Sequence, residues 1–401
     1  MSNLAGTRAD YLLPEGHALL RAQRTGLIVG AIGLALSGLG FVVDRERFFQ
    51  SWLLAYLYWL GPTLGSMGIL MLQHITGGRW GVALRRTLEA GMKTLPLMAL
   101  FFLPIVVGME QLFEWMHADM VARDAILQHK SVYLNRDFFL LRAGFYFLVW
   151  FAVAFGLSRW SIRQDDDPSP SVDRRLHYLS RAGLMLYALT MTFAAVDWAM
   201  SLEPHWYSHI YGVIVIGGQI LTAMMFAVVV AASLARVPQV GEFVNAERFH
   251  DFGKLMLAFI MLWAYFALSQ FLIIWSANLP EETPWYLTRR SGAWQLVAVA
   301  LILFHFVVPF VLLLSRSLKR SPQLLSRIVL GLLGMRYVDL YWLVAPSFQG
   351  EVFSPHWLDL ATLLGIGGIW LALFVRLLRP HPLLPLNDPY YQLSDFEHEA
   401  A

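Results

Sequence analysis

The chain has 401 residues, 57% hydrophobic and only 14% charged, with a formal net charge of +2 and a mean hydropathy of +0.54. Soluble globular domains carry about 25% charged residues, so the composition excludes an ordinary soluble enzyme and points to an all-α polytopic membrane protein. The near-neutral balance gives no sign of a nucleic-acid partner, and the absence of cysteine removes disulfides, thiolate iron–sulfur ligation and c-type haem attachment from this chain.

Residues 1–24 are polar and contain no short apolar core followed by a small-residue cleavage site, so the first span is expected to serve as a retained targeting signal. Apolar runs then predict ten spans, at 25–43, 48–75, 92–108, 138–158, 178–201, 207–234, 252–279, 292–314, 325–345 and 358–378. The third contains Pro96 and Pro104, so its ends are the least defined. Together they form a membrane domain over 25–379, between the N-terminal segment and a Pro-rich tail, 380–401.

Arginine and lysine are concentrated in the N-terminal segment, in the even-numbered loops and after the last span, as at Arg21, Arg24, Arg85, Arg86, Arg159, Arg163, Arg174 and Arg175. The odd-numbered loops hold only Arg45, Arg47, Arg123, Lys130, Arg136, Arg289 and Arg290. The positive-inside rule then predicts that both termini are cytoplasmic. The loop 110–137 is of mixed charge and reads as an amphipathic helix on the membrane surface or against a partner. The loop 159–177, with DDDPSPS, reads as a solvated hinge, and the tail as an extended segment lying along another subunit.

The chain is organised around VDWAMSLEPHWYSHIYGVIVIGG, 196–218, where one apolar run ends and the next begins. It places Asp197, Glu203, His205 and His209 among aromatic residues at the predicted outer mouth. A carboxylate at the edge of an apolar segment is costly unless it is paired or lines a wet cavity. Helical spacing also predicts four polar stripes turned away from lipid. These are Tyr56, Trp59, Thr63, Ser66 and Gln73 ending at His74, then Tyr187, Thr190, Asp197 and Ser201, then Tyr207, Tyr211, Gln219 and Thr222, and finally Tyr265, Ser269 and Ser276 with Gln270 beside them. Each hydroxyl alone is equally well read as packing glue.

The ionisable groups weigh more. His305 lies near the middle of the eighth span; a neutral histidine satisfied by a carbonyl and a proton relay both remain open. Haem ligation would need a second histidine at equal depth, and His74 sits at the end of its helix. Glu89 and Lys93 are spaced i, i+4, and Arg336 and Asp339 i, i+3; each reads as an ion pair that is either structural or part of a gate. The residues expected to form a proton route are therefore His74, Glu89 and Lys93 at the inner end, His305, Tyr265, Ser269 and Gln270 further along, and Asp197, Glu203 and His205 at the outer mouth, with Arg336 and Asp339 beside it.

The stretches HITGGRWGVALRRTLEAGMKTLPLMALFFLPI, DWAMSLEPHWYSHIYG, LSQFLIIWSANLPEE and PHPLLPLNDP resemble the ActF subunits of bacterial alternative complex III, within the NrfD/PsrC-type membrane family, over essentially the whole chain. The resemblance implies two four-helix bundles, spans 2–5 and 6–9, flanked by the first and last helices. It implies a non-catalytic, cofactor-free subunit of a quinol:cytochrome c type oxidoreductase in the bacterial inner membrane, contributing to proton conduction. The expected partners are an ActC-like quinol-binding subunit, pentahaem and mono-haem cytochromes that carry haem c, an iron–sulfur subunit with its clusters, the lipid bilayer and a terminal oxidase. No catalytic, cofactor-binding or metal residue is expected in this chain. A purely structural scaffold is the alternative, and a stand-alone secondary transporter a more distant one, since no internal repeat is evident.

Overall fold

A computed structural model describes residues 8–167 and 169–391, and every regular element among them is helical. Nine helices are long and apolar enough to cross a membrane: α1 (Ala18–Val43), α2 (Arg45–Thr76), α3 (Arg79–Val107), α4 (Arg136–Asp166), α5 (Pro170–Trp198), α6 (Tyr211–Leu234), α7 (Ala246–Ala277), α8 (Trp294–Leu314) and α10 (Trp357–Leu378). Between the last two lies α9 (Pro322–Val344), a helix of 23 residues at the position of the ninth expected span. It is long enough to cross, but Arg327, Arg336 and Asp339 lower its apolar character.

Local chemistry sets the helix ends. The Asp44, Asn135 and Asn245 side chains accept from backbone amides at the starts of α2, α4 and α7, and His356 with Asp359 forms a reciprocal cap on α10. Proline occupies the first turn of α5 and α9, where its missing N–H costs nothing. Within α3 the helix breaks at Lys93–Thr94, just ahead of Pro96, and the Thr94 hydroxyl donates to the Gly91 carbonyl at 2.7 Å. The observed helices overrun the apolar runs, because polar turns at their ends complete the hydrogen-bond ladder outside the hydrocarbon.

The helices α2–α5 form one bundle and α6–α9 a second, joined where α2 packs on α6; α10 packs on α2, and α1 packs on α10. Almost nine-tenths of the apolar window of α2 is buried, against 28% for α1 and 22% for α7 and α8. Thus α2 is the central column, and the outer helices present their apolar sides to lipid. The α1–α10 contact is backbone on backbone. A Cβ added at Gly33 would lie 2.5 Å from the Gly365 amide nitrogen and 2.8 Å from the Ala361 carbonyl oxygen, so only glycine fits.

The first and last described segments meet on one face, here called the terminal face. The Leu383 amide donates to the Tyr11 carbonyl at 2.8 Å, and the Tyr11 and Tyr391 hydroxyls lie 3.3 Å apart. Residues 380–391 pack on this chain, with Leu383, Leu384 and Asp388 buried. Residues 392–401 lie outside the described residues. The expected hinge contracts to a short link between α4 and α5, with Pro168 outside the described residues. The loop 110–137 is not one amphipathic helix but short turns, Met109–Leu112, Ala118–Arg123 and Ala125–Lys130, anchored by buried Phe113, Trp115 and Leu127.

Candidate functional site: a buried polar seam

A buried charged pair lies where α6, α7, α8 and α9 converge. Arg336 and Asp339, one turn apart on α9, are in direct ion-pair contact and buried. The Arg336 Nε donates to the Gly218 carbonyl at 3.3 Å, and the Trp263 indole of α7 donates to Asp339 Oδ2 at 3.1 Å. Position 218 must be glycine for this: a Cβ there would stand 2.0 Å from an Arg336 guanidinium nitrogen. His305 of α8 packs against Trp263, with ring centroids 4.1 Å apart and the rings tilted at 53°. It is 0% exposed, and neither ring nitrogen has a hydrogen-bond partner. It sits in a π-helical stretch, Leu301–Val307. Pro309, four residues on, has no N–H for the His305 carbonyl, and the ladder widens there.

Arg336 also lines a small interior cavity with Tyr58, Met191, Gly218, Gln219 and Thr222. Its volume, about 20 Å³, is room for one water and is far below the roughly 300 Å³ at which small-molecule sites begin. On its other side the Tyr187 hydroxyl donates to Gln219 at 2.8 Å. Two turns further along α5 towards the terminal face, Ser180 meets His74 Nδ1 at 2.9 Å, while His74 Nε2 is buried and unpartnered. The polar groups thus form a broken seam of islands from His74–Ser180 through Tyr187–Gln219 and the cavity to Arg336–Asp339 and His305.

The other expected route residues fall into separate clusters. Glu89 does not pair with Lys93. Its carboxylate takes Arg85 Nε at 3.2 Å, Arg86 at 2.7 Å and the Ser161 hydroxyl, because two preceding arginines on α3 reach it first. Lys93 is half-buried at the helix break, beside His381, and has no ion pair among the described residues. Arg85 also meets Asp388 of the tail at 2.5 Å and Gln164 at 2.7 Å, and Arg86 meets Asp165.

The three groups expected at one outer mouth are held apart. Asp197, 0% exposed, accepts from Arg142 Nε at 2.8 Å, from a second Arg142 nitrogen at 2.9 Å and from Tyr146 at 2.8 Å. Glu203 accepts from Arg289 at 2.9 Å and Ser347 at 2.6 Å. Arg289 is fully buried on the Trp285 ring, and that burial lowers its pKa. His205 is exposed and meets Asp124 at 2.6 Å; the hydrogen bond from His205 is the main cause holding the Asp124 carboxyl below its ordinary range. Arg336 and Asp339 lie with Trp263, Asp339 one turn along α9 from Trp342 and Leu343, whose carbonyls accept from Arg289.

On α7 the expected stripe is overturned. Tyr265 is 64% exposed, Ser276 is exposed and Ser269 is half-buried, whereas Met256, Ile260, Trp263, Gln270 and Ile274 face inward. The apolar surroundings of α7 are lipid on one side and protein on the other, so hydropathy does not tell its faces apart. Gln270 is inside as expected, accepting from Ser208 at 3.1 Å. The stripe of α5 is buried as read, as is that of α2 apart from half-buried Trp59; on α6, Tyr207 lies before the helix and is exposed.

Sequence reasoning missed Arg142, Arg85, Arg86, Arg289 and Trp263 as partners. Arg142 carried a usable signal, an arginine inside the apolar run RDFFLLRAGFYFLVW. Among the described residues no group of three or more His, Cys, Asp or Glu has metal-binding geometry.

The chain matches no family model and no curated protein.

Proposed function

We propose that this protein is the cofactor-free membrane subunit of a quinol:cytochrome c type oxidoreductase of the alternative complex III kind, and that its seam carries protons between the terminal face and mid-membrane. The observation that carries the reading is the Arg336–Asp339–Trp263–His305 cluster beside a cavity with room for one water. A buried charge in hydrocarbon is retained where it conducts or couples. Arg336 keeps its charge throughout and holds Asp339 as a carboxylate; Asp339 takes up a proton delivered through the cavity water and passes it to His305, whose ring nitrogens are free. The seam is broken, so transfer requires water or side-chain rotation at Gln219 and Tyr187. In this reading haem c, iron–sulfur clusters and quinol belong to partner subunits, the membrane is the bacterial inner membrane, and the terminal face is cytoplasmic, in line with its arginine excess.

In the intact complex, Asp339→Asn, which lowers stability by leaving Arg336 without its carboxylate, and His305→Leu should each leave haem content unchanged while proton release per quinol oxidised falls at least tenfold. Normal release in both variants overturns the route.

A scaffold role is the second reading, and the satisfied Arg142–Asp197 and Arg85–Glu89–Arg86 pairs favour it. Fully hydrogen-bonded buried pairs hold helices in register without moving protons.

A further inference from the structure

The α4–α5 hairpin carries an arginine-lined groove at its terminal-face end. Along α4, Leu141, Phe145, Leu148 and Phe155 are exposed at helical spacing, and the same face continues into exposed Arg159 and Arg163. Along α5, Phe193, Leu189 and Met185 make the matching exposed stripe, which continues into Arg181, Tyr178 and Arg175. A helix face that is apolar and exposed over this length faces lipid acyl chains, so its polar continuation lies at headgroup depth.

The two helices bring their arginines together. The Arg163 and Arg175 guanidinium carbons lie 5.4 Å and 4.4 Å from the Trp160 ring centroid, one from each helix. Arg181 lies 5.8 Å from the centroid of Tyr178, itself 66% exposed. Three of the nearby acids are engaged elsewhere or only loosely: Asp165 with Arg86, Asp173 with His177 at 3.4 Å, and Asp167 with Arg163 at 3.8 Å. Among the described residues Arg159, Arg175 and Arg181 have no carboxylate ion pair.

We infer that this groove binds the phosphate headgroup of an anionic phospholipid, with Arg159, Arg163 and Arg175 around the phosphate, Trp160 and Tyr178 at the interface, and the acyl chains along the α4 and α5 stripes. Charge complementarity selects an anionic lipid, and the apolar stripes that run directly into the arginines select a lipid over a free anion. The inference does not depend on the proton route.

The test uses the full chain in phosphatidylcholine vesicles with bimane on a cysteine at Ala182, next to Arg181; the native chain has no other cysteine. Brominated phosphatidylglycerol should enrich at the probe about fivefold over brominated phosphatidylcholine, the preference expected of about one unpaired basic group near an anionic headgroup. Replacing Arg159, Arg163 and Arg175 by Gln should abolish the preference, and replacing them by Lys should retain most of it. The Lys variant guards against loss of fold in the Gln variant. Equal quenching by the two lipids in the native sequence overturns the site. Loss of the preference on adding inorganic phosphate, but not chloride at matched ionic strength, would assign the groove to a free anion and equally overturn the lipid.

Discussion

Arg142 of α4 holds Asp197 of α5 through two nitrogens, at 2.8 Å and 2.9 Å, and the same arginine lies 3.8 Å from the centroid of the Tyr133 ring. Breaking one side of a buried pair leaves the other charge uncompensated, at a cost of about 3–5 kcal/mol. Asp197→Asn should therefore lower the thermal stability of the purified protein markedly. The double variant Arg142→Met/Asp197→Leu should recover most of it. A stable single variant would show that the pair is not closed in the folded protein.

His305 presents two buried ring nitrogens with no partner. Leaving such a group unsatisfied costs about 1–3 kcal/mol, so His305→Phe, which keeps an aromatic ring against Trp263, should raise the melting temperature. Under the proton-route proposal the same variant should abolish coupled proton release. Gain of stability with loss of coupling is the expected signature, and a destabilised variant would mean that the imidazole already has a partner.

Gly33 and Gly38 lie on different sides of α1. Gly33 meets the backbone of α10, whereas Gly38 faces open space. Overpacking costs about 1–3 kcal/mol where neighbours cannot yield, and backbone cannot. Gly33→Leu should destabilise by at least that amount, with Gly38→Leu near neutral; equal effects in an unfolding assay would refute the close α1–α10 seam.

Asp124 is held below the ordinary carboxylate range chiefly by the hydrogen bond from His205, and its Oδ1 also accepts from the Ile126 and Leu127 amides. A depressed carboxyl stabilises its contact above the unfolded value and releases it as pH falls through the folded value. Protection of the Ile126 and Leu127 amides against hydrogen exchange, corrected for the intrinsic rate, should thus persist from neutral pH through the normal carboxylate range and fall only below it. In His205→Ala the loss should begin at higher pH.

Ser171 and His209 are exposed at opposite ends of α5 and its turn. Single cysteines there should label from opposite sides of the membrane with an impermeant maleimide, and the proposed orientation has position 209 reacting from outside intact cells. Labelling of position 171 alone would invert it.

The fold was largely legible, because long apolar runs and few charges leave little but helices, and the polar stripes on α2 and α5 marked their buried faces. Pairing between helices was not legible. Glu89 followed by Lys93 reads as a favourable local pair, but Arg85 and Arg86 precede it and Ser161 approaches from α4, so three-dimensional neighbours decide. The faces of α7 were misread because Tyr265 and Ser276 are tolerated where aromatic and hydroxyl groups face the bilayer, while Trp263, apolar by composition, uses its indole N–H inside. The cation that pairs with Asp197 is Arg142 of α4, out of reach of any spacing argument within α5.

The Gly33–Gly365 contact joins two helices far apart in the chain, α1 and α10. During synthesis α1 enters the bilayer with its glycine face covered by nothing but lipid, and its final neighbour emerges more than three hundred residues later. Closure is therefore a late event that waits for α10 to be made. A product truncated before α10 keeps an open glycine-rich flank on α1 and also lacks Asp388, so Arg85 loses its tail carboxylate. Chains that lack α10 and Asp388 are thereby chemically distinguishable from those that have them, at both the lipid-facing flank and the terminal face, which gives a membrane protease or an assembly factor a physical basis for telling them apart.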